Sequence, residues 1–343
     1  NAALFFVIQS LRTEAKLPKV EIAIALALLT STVAYGFIKE SSVLKELPAW
    51  ERKSVAIAQG NVDQAVKWDS AALLGTIDKY RELTLAAAAE GASIVVWPET
   101  AMPFFLARSR LGPTVRFIAS EADVSILAGS PHFEGVMTDD PSSSEMDLYN
   151  SAFVISKNAQ LTGRYDKVHL VPFGEYVPLK RLLFFVGKLT EGVGDFSSGS
   201  GMEPLSIDGV KVGVLICFES IFPELTRAAI KNNAGLLVNI TNDAWFGKTS
   251  APYQHFDMSV MRAVESRTYL VRSANTGISG FIDPTGRVIK KSALFTEEIL
   301  VSEVGIRRGA PTFFVSVGWL FPIAAIVFSI IMILRCLTKR RAE

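Results

Sequence analysis

Two long uncharged runs stand out in the hydropathy pattern, one near each end of the chain. Residues 22–38 read IAIALALLTSTVAYGFI, 17 positions without a charge, which as a helix is ~26 Å long and just enough to cross a bilayer core. Residues 313–334 read FFVSVGWLFPIAAIVFSIIMIL, 22 uncharged positions or ~33 Å of helix, with Trp319 placed as an interfacial anchor and Pro322 as a kink. The pattern predicts membrane helices over residues 20–38 and 313–335. The opening stretch, 1–11, is apolar, has no charged leader or cleavage pattern, and reads as the end of a further membrane helix cut short. Arg12, Lys16 and Lys19 precede the first run, and Arg335, Lys339, Arg340 and Arg341 close the second. The excess of basic residues predicts both ends on the cytoplasmic side, with 336–343 a basic cytoplasmic tail and 39–312 on the opposite, periplasmic side of a bacterial inner membrane.

Within 39–312 the period changes. Short β-branched runs at 54–59, 93–97, 125–128, 151–156, 210–217, 235–240, 269–273, 280–283 and 287–290 read as strands, with a turn at Asp283-Pro284-Thr285-Gly286. Helical stretches at 71–90, 223–232 and 254–267 separate them. Strands with so little polar alternation belong to sheets covered on both faces, so the expected fold class is α/β, an α-β-β-α sandwich flanked by membrane helices. Two Ser-rich stretches, 141–144 and 197–201, read as loops; no GxxxxGK[ST] pattern makes the second a phosphate cradle.

Composition narrows the chemistry. Hydrophobic residues make up 49% of the 343 and mean hydropathy is +0.31, too apolar for a disordered chain. Lys plus Arg is 35 against 34 Asp plus Glu, which leaves no bulk charge for a polyanion and argues against nucleic acid as a partner. Two cysteines, Cys217 and Cys336, and three scattered histidines, His132, His169 and His255, form neither a disulfide framework nor a metal-ligand spacing. No cofactor or metal is expected.

Three residues invite a catalytic reading. Cys217 ends a strand just before a helix that starts near Pro223, a position where a nucleophile stands clear of the sheet and the next backbone N–H, that of Phe218, can face an oxyanion. A lone thiol in an oxidising compartment is seldom kept unless used. Lys167 leaves a strand in Tyr165-Asp166-Lys167 and is the expected cation for a thiolate, whose pKa it would lower. Glu99 follows a strand in Trp97-Pro98-Glu99-Thr100, a strand end where active sites of layered α/β folds collect and where a carboxylate can pass a proton from thiol to leaving group.

These three motifs, with Ile216-Cys217-Phe218-Glu219-Ser220, occur in the order found in the nitrilase (carbon-nitrogen hydrolase) superfamily, which the chain resembles. It is similar in particular to the branch of bacterial membrane enzymes that N-acylate lipoproteins. That similarity runs from about Ser54 to Arg287 and includes Gln59-Gly60-Asn61, Lys67-Trp68-Asp69, the run from His169 to Pro178 and the run from Asn239 to Gly247. The resemblance implies Glu99 as general base, Lys167 as stabiliser of oxyanion and thiolate, and Cys217 as nucleophile. It also implies Glu175 as a supporting residue, and Trp68 and Glu219 as needed for substrate handling or acyl transfer. Where that branch often carries Tyr after the cysteine, this chain has Phe218, which keeps the backbone N–H and lacks the hydroxyl. The implied partners are a phospholipid acyl donor, a diacylglyceryl-modified apolipoprotein acceptor and the bilayer. Apolar stretches 103–106 and 182–186 are expected to dip into the lipid interface. The competing readings are a membrane-tethered amidase acting on a small soluble amide, and a non-catalytic scaffold on the same fold.

Overall fold

The computed structural model describes residues 19–65, 67–135, 146–178 and 195–342. The apolar stretch 182–186, the loop 141–144 and the segment 1–11 with Arg12 and Lys16 lie outside the described residues. The chain divides into two compact units, Asn1–Ala49 and Trp50–Glu343. The first is built on helix α1 (Lys19–Glu46), which runs on past the expected end at Ile38, so the second unit begins at Trp50 rather than at 39. Residues 39–46 simply extend the same helix, because nothing between Lys39 and Glu46 is a helix breaker. The segment Ile22–Ala49 is long and apolar enough to cross a membrane, and its Ile24, Leu28, Leu29 and Phe37 are all exposed.

The second unit is an α-β-β-α sandwich. One sheet has the order β12-β1-β2-β3-β4-β5, from β1 (Glu51–Gln59), β2 (Ile94–Val96), β3 (Ser125–Gly135), β4 (Met146–Ile155), β5 (Leu161–Asp166) and β12 (Glu298–Ile306). The other has the order β11-β10-β9-β8-β7-β6, from β6 (Leu205–Ile207), β7 (Val210–Ile216), β8 (Leu236–Thr241), β9 (Leu270–Ala274), β10 (Gly280–Ile282) and β11 (Val288–Lys291). In each, three central strands run parallel: β1, β2 and β3 in the first, β7, β8 and β9 in the second. The helices α2 (Leu73–Ala89) and α3 (Gly112–Glu121) belong to the first layer, α4 (Pro223–Lys231) and α5 (Ala251–Ser266) to the second. Strand periodicity explains the two cores. Ala56, Ala58, Val95, Trp97, Ile126 and Ala128 point to one face and pack with Ile77, Tyr80, Val115 and Ile118 of α2 and α3. The alternate residues Val55, Ile57, Ile94, Val96 and Leu127, equally buried, turn to the opposite face. Cross-sheet bonds from Ser273 Oγ to the Val96 carbonyl (3.1 Å) and from Ser125 Oγ to Asp208 (2.7 Å) tie the sheets together.

Two expectations need correction, and a third, the loop at 197–201, holds with an added constraint. The run 313–335 is not one helix. Thr312 caps a short helix α6 (Phe313–Val317) by accepting from the Val315 N–H, and the Val315 carbonyl accepts from Arg227 of α4 at 3.1 Å. The chain then breaks at Gly318 and restarts as α7 (Leu320–Ala342). Pro322 therefore lies in a first helical turn, where its missing N–H costs nothing, and kinks no helix. Residues 103–106 are no interfacial loop: Leu106 is buried in the core, Phe104 packs on the α2–α3 cluster, and Phe105 meets Phe133 edge-on at 4.7 Å. The stretch 197–201 is pinned rather than free, with the Gly199 N–H donating to the Lys167 carbonyl (2.8 Å) and Ser198 Oγ to the Val168 carbonyl (2.6 Å).

Candidate active site

Parallel strands bring their carboxyl ends to one side of a sheet, and side chains that leave those ends can converge without disturbing the strand ladder. Glu99 leaves β2, Lys167 follows β5 and Cys217 follows β7, and all three line one cavity of about 460 Å³.

Glu99 sits in a tight turn whose next residue, Thr100, has φ +49°. Trp97 fixes the approach to that turn: its indole N–H donates to Thr84 Oγ1 at 3.0 Å, and its ring packs on Tyr80 at 4.9 Å. On the other side is Gly129. A Cβ there would lie 2.5 Å from the Pro98 carbonyl oxygen and 2.5 Å from the Thr100 nitrogen, so only glycine lets the turn close. The carboxylate is held at both oxygens, by Asn150 Nδ2 (2.7 Å) and by the Asn242 backbone N–H (2.8 Å). One lone pair on each oxygen is left for the reaction.

Lys167 is buried and ion-paired with Glu175 at 2.8 Å. Burial works against its charge, but the carboxylates of Glu175 and Glu99 and the sulfur of Cys217 outweigh it and hold the ammonium protonated well beyond the usual lysine range. Glu175 is fixed in turn by the Val171 N–H (2.8 Å) and by Asn150 Nδ2 (3.0 Å). Asn150 thus bridges Glu99 and Glu175 with one amide.

Cys217 opens a 3-10 turn, Cys217–Ile221, with φ +53°. A left-handed backbone at a β-carbon residue costs about 1–3 kcal/mol and persists only where its surroundings enforce it. Here the Cys217 carbonyl accepts from Ser220 Oγ (3.1 Å) and meets His255 Nε2 at 3.1 Å. His255 is backed by Asp243 (2.9 Å), which is ion-paired with buried Arg272 at 2.9 Å. The Arg272 and His255 charges hold the Asp243 carboxyl at about 2 despite its burial, while burial and Arg272 push the His255 imidazole down. Burial and the Glu99 charge push the Cys217 thiol up to about 12, and Lys167 only partly offsets them. Lys167 lowers the thiol, as a neighbouring cation should, but burial and Glu99 outweigh it.

The remaining expected residues are placed as follows. Trp68, 40% exposed, and Phe218 line the cavity, and Phe218 packs edge-on against Phe222 at 5.1 Å. Glu219 is fully buried behind the wall and does not line the cavity. It accepts from Tyr165 Oη (2.9 Å) and from the N–H groups of Val168 (2.7 Å), His169 (3.0 Å) and Ile216 (2.7 Å). It therefore braces the segment bearing Lys167 against the segment bearing Cys217. Asn150, Asn242, His255 and Lys67 also line the cavity; the sequence assigns none of them a role, although Lys67 and Asn242 lie within the segments that carry the resemblance. The visible signal for Asn242 was a pair of polar residues, Asn242-Asp243, ending an apolar strand; for Asn150 there was none. Among the described residues no group of His, Cys, Asp and Glu is arranged to hold a metal ion.

A buried Glu, Lys and Cys thus line one cavity over a two-sheet sandwich of the nitrilase-like fold. The chain belongs to the carbon-nitrogen hydrolase family, whose profile matches residues 54–311. A carbon-nitrogen hydrolase from Helicobacter pylori shares the fold with TM-score 0.55 at 17% identity, over 74% of this chain and 89% of that one. Saccharomyces cerevisiae Nit3, of branch 10 of the nitrilase superfamily, does so with TM-score 0.56 at 18% identity, over 74% and 90%. Among curated relatives, the apolipoprotein N-acyltransferase of Geobacter metallireducens is 43% identical over 316 residues, 90% of this chain and 58% of that protein. That of Rhizobium rhizogenes is 38% identical over 278 residues, 78% of this chain and 51% of that protein. The chain spans between half and three fifths of the length of these relatives.

Proposed function

We propose that the protein is a membrane-bound N-acyltransferase that moves an acyl chain from a phospholipid, through a Cys217 thioester, to the α-amino group of the lipidated amino-terminal cysteine of apolipoproteins. The observation that carries this reading is the joint placement of Glu99, Lys167 and Cys217 in one cavity with an exposed apolar rim of Trp68, Trp245, Phe246 and Met258. A rim of this kind suits acyl chains better than a small soluble amide. The apolar segment Ile22–Ala49, long enough to cross a bilayer, and the shorter apolar stretch Leu320–Ile331 support a membrane setting, and the basic residues beyond each apolar run favour a periplasmic catalytic unit and a cytoplasmic carboxyl terminus.

In the first half-reaction Glu99 takes the Cys217 proton as sulfur bonds to the ester carbonyl carbon, and Lys167 with the Phe218 N–H holds the oxyanion. Collapse breaks the C–O bond, the Glu99 proton passes to the departing oxygen, and lysophospholipid leaves. In the second the neutral amine attacks the thioester, Glu99 receives the amine's proton, the C–S bond breaks, and the proton returns to sulfur. Glu175 keeps Lys167 in place, and Trp68 forms part of the rim that receives lipid.

The test is capture of the intermediate. Incubation with phospholipid bearing a labelled acyl chain should give a hydroxylamine-sensitive label on Cys217, lost in Cys217→Ser and discharged onto an amino-terminal diacylglyceryl-cysteine peptide. Labelling that discharges only to free fatty acid would support a water-using hydrolase, and no labelling at all a scaffold.

A further inference from the structure

A second lysine faces the same cavity. Lys67 is 2% exposed and lines the wall beside half-exposed Trp68. Lys167 has Glu175 at 2.8 Å, whereas among the described residues Lys67 makes no ion pair; its recorded hydrogen bond goes to a neutral group, the Glu99 backbone carbonyl, at 3.2 Å. A buried ammonium without an opposing charge costs several kcal/mol, and one carbonyl satisfies only one of its three donors. Burial draws its pKa down to about 8, and the Glu99 charge only partly offsets this. Described residues on either side of it are anchored by hydrogen bonds. The Val62 N–H donates to Asn275 Oδ1 (2.9 Å), Asn275 Nδ2 to the Val62 carbonyl (2.8 Å), and Asn242 Nδ2 to Gln64 Oε1 (2.8 Å). On the following side Asp69 caps the next turn through the Ala71 N–H. Loop anchoring of this strength favours a site that is formed before substrate arrives.

We infer that Lys67 binds the phosphate of the acyl donor and so selects esters that carry a phosphodiester a few bonds from the reacting carbonyl. This rests on the phospholipid reading above. The bond to the Glu99 carbonyl places the ammonium next to the base, where a headgroup would lie once the ester carbonyl is over Cys217. The acyl chains would then leave along the apolar rim at Trp68, Trp245 and Phe246. Lysine as a point charge suits a phosphate that must enter and leave on each turnover.

The experiment compares two donors on the same preparation of the whole protein in mixed detergent micelles: a phosphatidylglycerol and the 1,2-diacylglycerol with identical chains, read as the rate of Cys217 acylation. In Lys67→Gln the phospholipid-to-diacylglycerol rate ratio should fall about tenfold or more, the usual weight of a charge-assisted hydrogen bond. In Lys67→Arg, which keeps the charge, most of the ratio should remain. A smaller folded fraction cancels in the ratio. An unchanged ratio in Lys67→Gln, with phospholipid still the working donor, would overturn the inference while leaving the acyltransferase reading intact. An equal loss of ratio in Lys67→Arg would overturn it too, by showing that shape and not charge is being read. Failure of the unaltered protein to acylate from either donor would remove the underlying reading, and with it this one.

Discussion

Replacing Glu99 with Gln should push two reactions of Cys217 in opposite directions. With the thiol at about 12, the thiolate fraction at pH 8 is about 10⁻⁴, against about 10⁻¹ for an ordinary thiol near 9, so alkylation by iodoacetamide should run about 10³-fold slower than at an exposed cysteine. The rate should climb about tenfold per pH unit through pH 9 with no plateau. Burial is the first cause of the raised value and the Glu99 charge the second. Removing that charge should bring the thiol down by about 1–3 units and speed alkylation by about 10–1000-fold. Acyl transfer should meanwhile fall by about 10²–10⁴-fold, because the base that accepts the proton is gone. Lys167→Met should instead slow both, since the ammonium opposes the upward shift. The assay is a pH series of iodoacetamide incorporation by mass spectrometry beside acyl-enzyme formation. Alkylation that levels off below pH 8 in the unaltered protein would falsify the resting-thiol picture, as would slower alkylation in Glu99→Gln.

Three further outcomes follow from the same geometry. Glu219→Ala would strand the buried Ile216 N–H, the part-buried Val168 and His169 N–H groups and the Tyr165 hydroxyl; a loss of about 2–4 kcal/mol is expected in calorimetry, and a loss under 1 kcal/mol would dismiss the brace. Asp243 has a depressed folded pKa, about 2 against 3.8. Its contribution, on the order of 2 kcal/mol, should be present above pH 4 and disappear as the pH falls towards 2; an acid-unfolding series should lose that slope in Asp243→Asn. Gly129→Ala should force the Glu99 turn outward, since every atom its Cβ meets is backbone. A fall of about tenfold or more in acylation, with about 1–3 kcal/mol of stability, is expected from the overpacking, and normal kinetics would show that the turn has room to spare.

Much of this arrangement is legible along the chain because the strands are written in short β-branched runs, and Glu99 and Cys217 stand where such runs end. The apolar character of 54–59, 93–97 and 210–217 also foretells two covered sheet faces, and both are found. What escapes is whatever depends on partners distant in sequence. β12 joins β1 from more than two hundred residues away, pairing Glu51 with Ile306, and nothing local in its run EILVSEVGI says which strand it will join. The length of α1 escapes too, since uncharged residues mark where a membrane helix is apolar and not where a helix stops. Glu219 sits two residues from the nucleophile, so adjacency in sequence suggests contact with substrate. The 3-10 turn sends its side chain back into the protein instead, where four donors await it.

The sign of the thiol's shift was least accessible of all, and the reason bears on mechanism. Lys167 is ion-paired with Glu175, and burial and the Glu99 charge push the Cys217 thiol up. The cavity lining holds two lysines, Lys67 and Lys167, and two carboxylates, Glu99 and Glu175. With Cys217 as a thiol these charges balance. Forming a thiolate alone would leave a net negative charge in a poorly solvated space, where an uncompensated charge is expensive. Passing the proton to Glu99 moves a negative charge from oxygen to sulfur without creating a new one. The same balance makes the oxyanion tolerable only while Glu99 remains protonated, so the proton has to stay on Glu99 until the tetrahedral intermediate collapses. On the proposed roles, a site built this way keeps its sulfur protonated until a reacting carbonyl is in place.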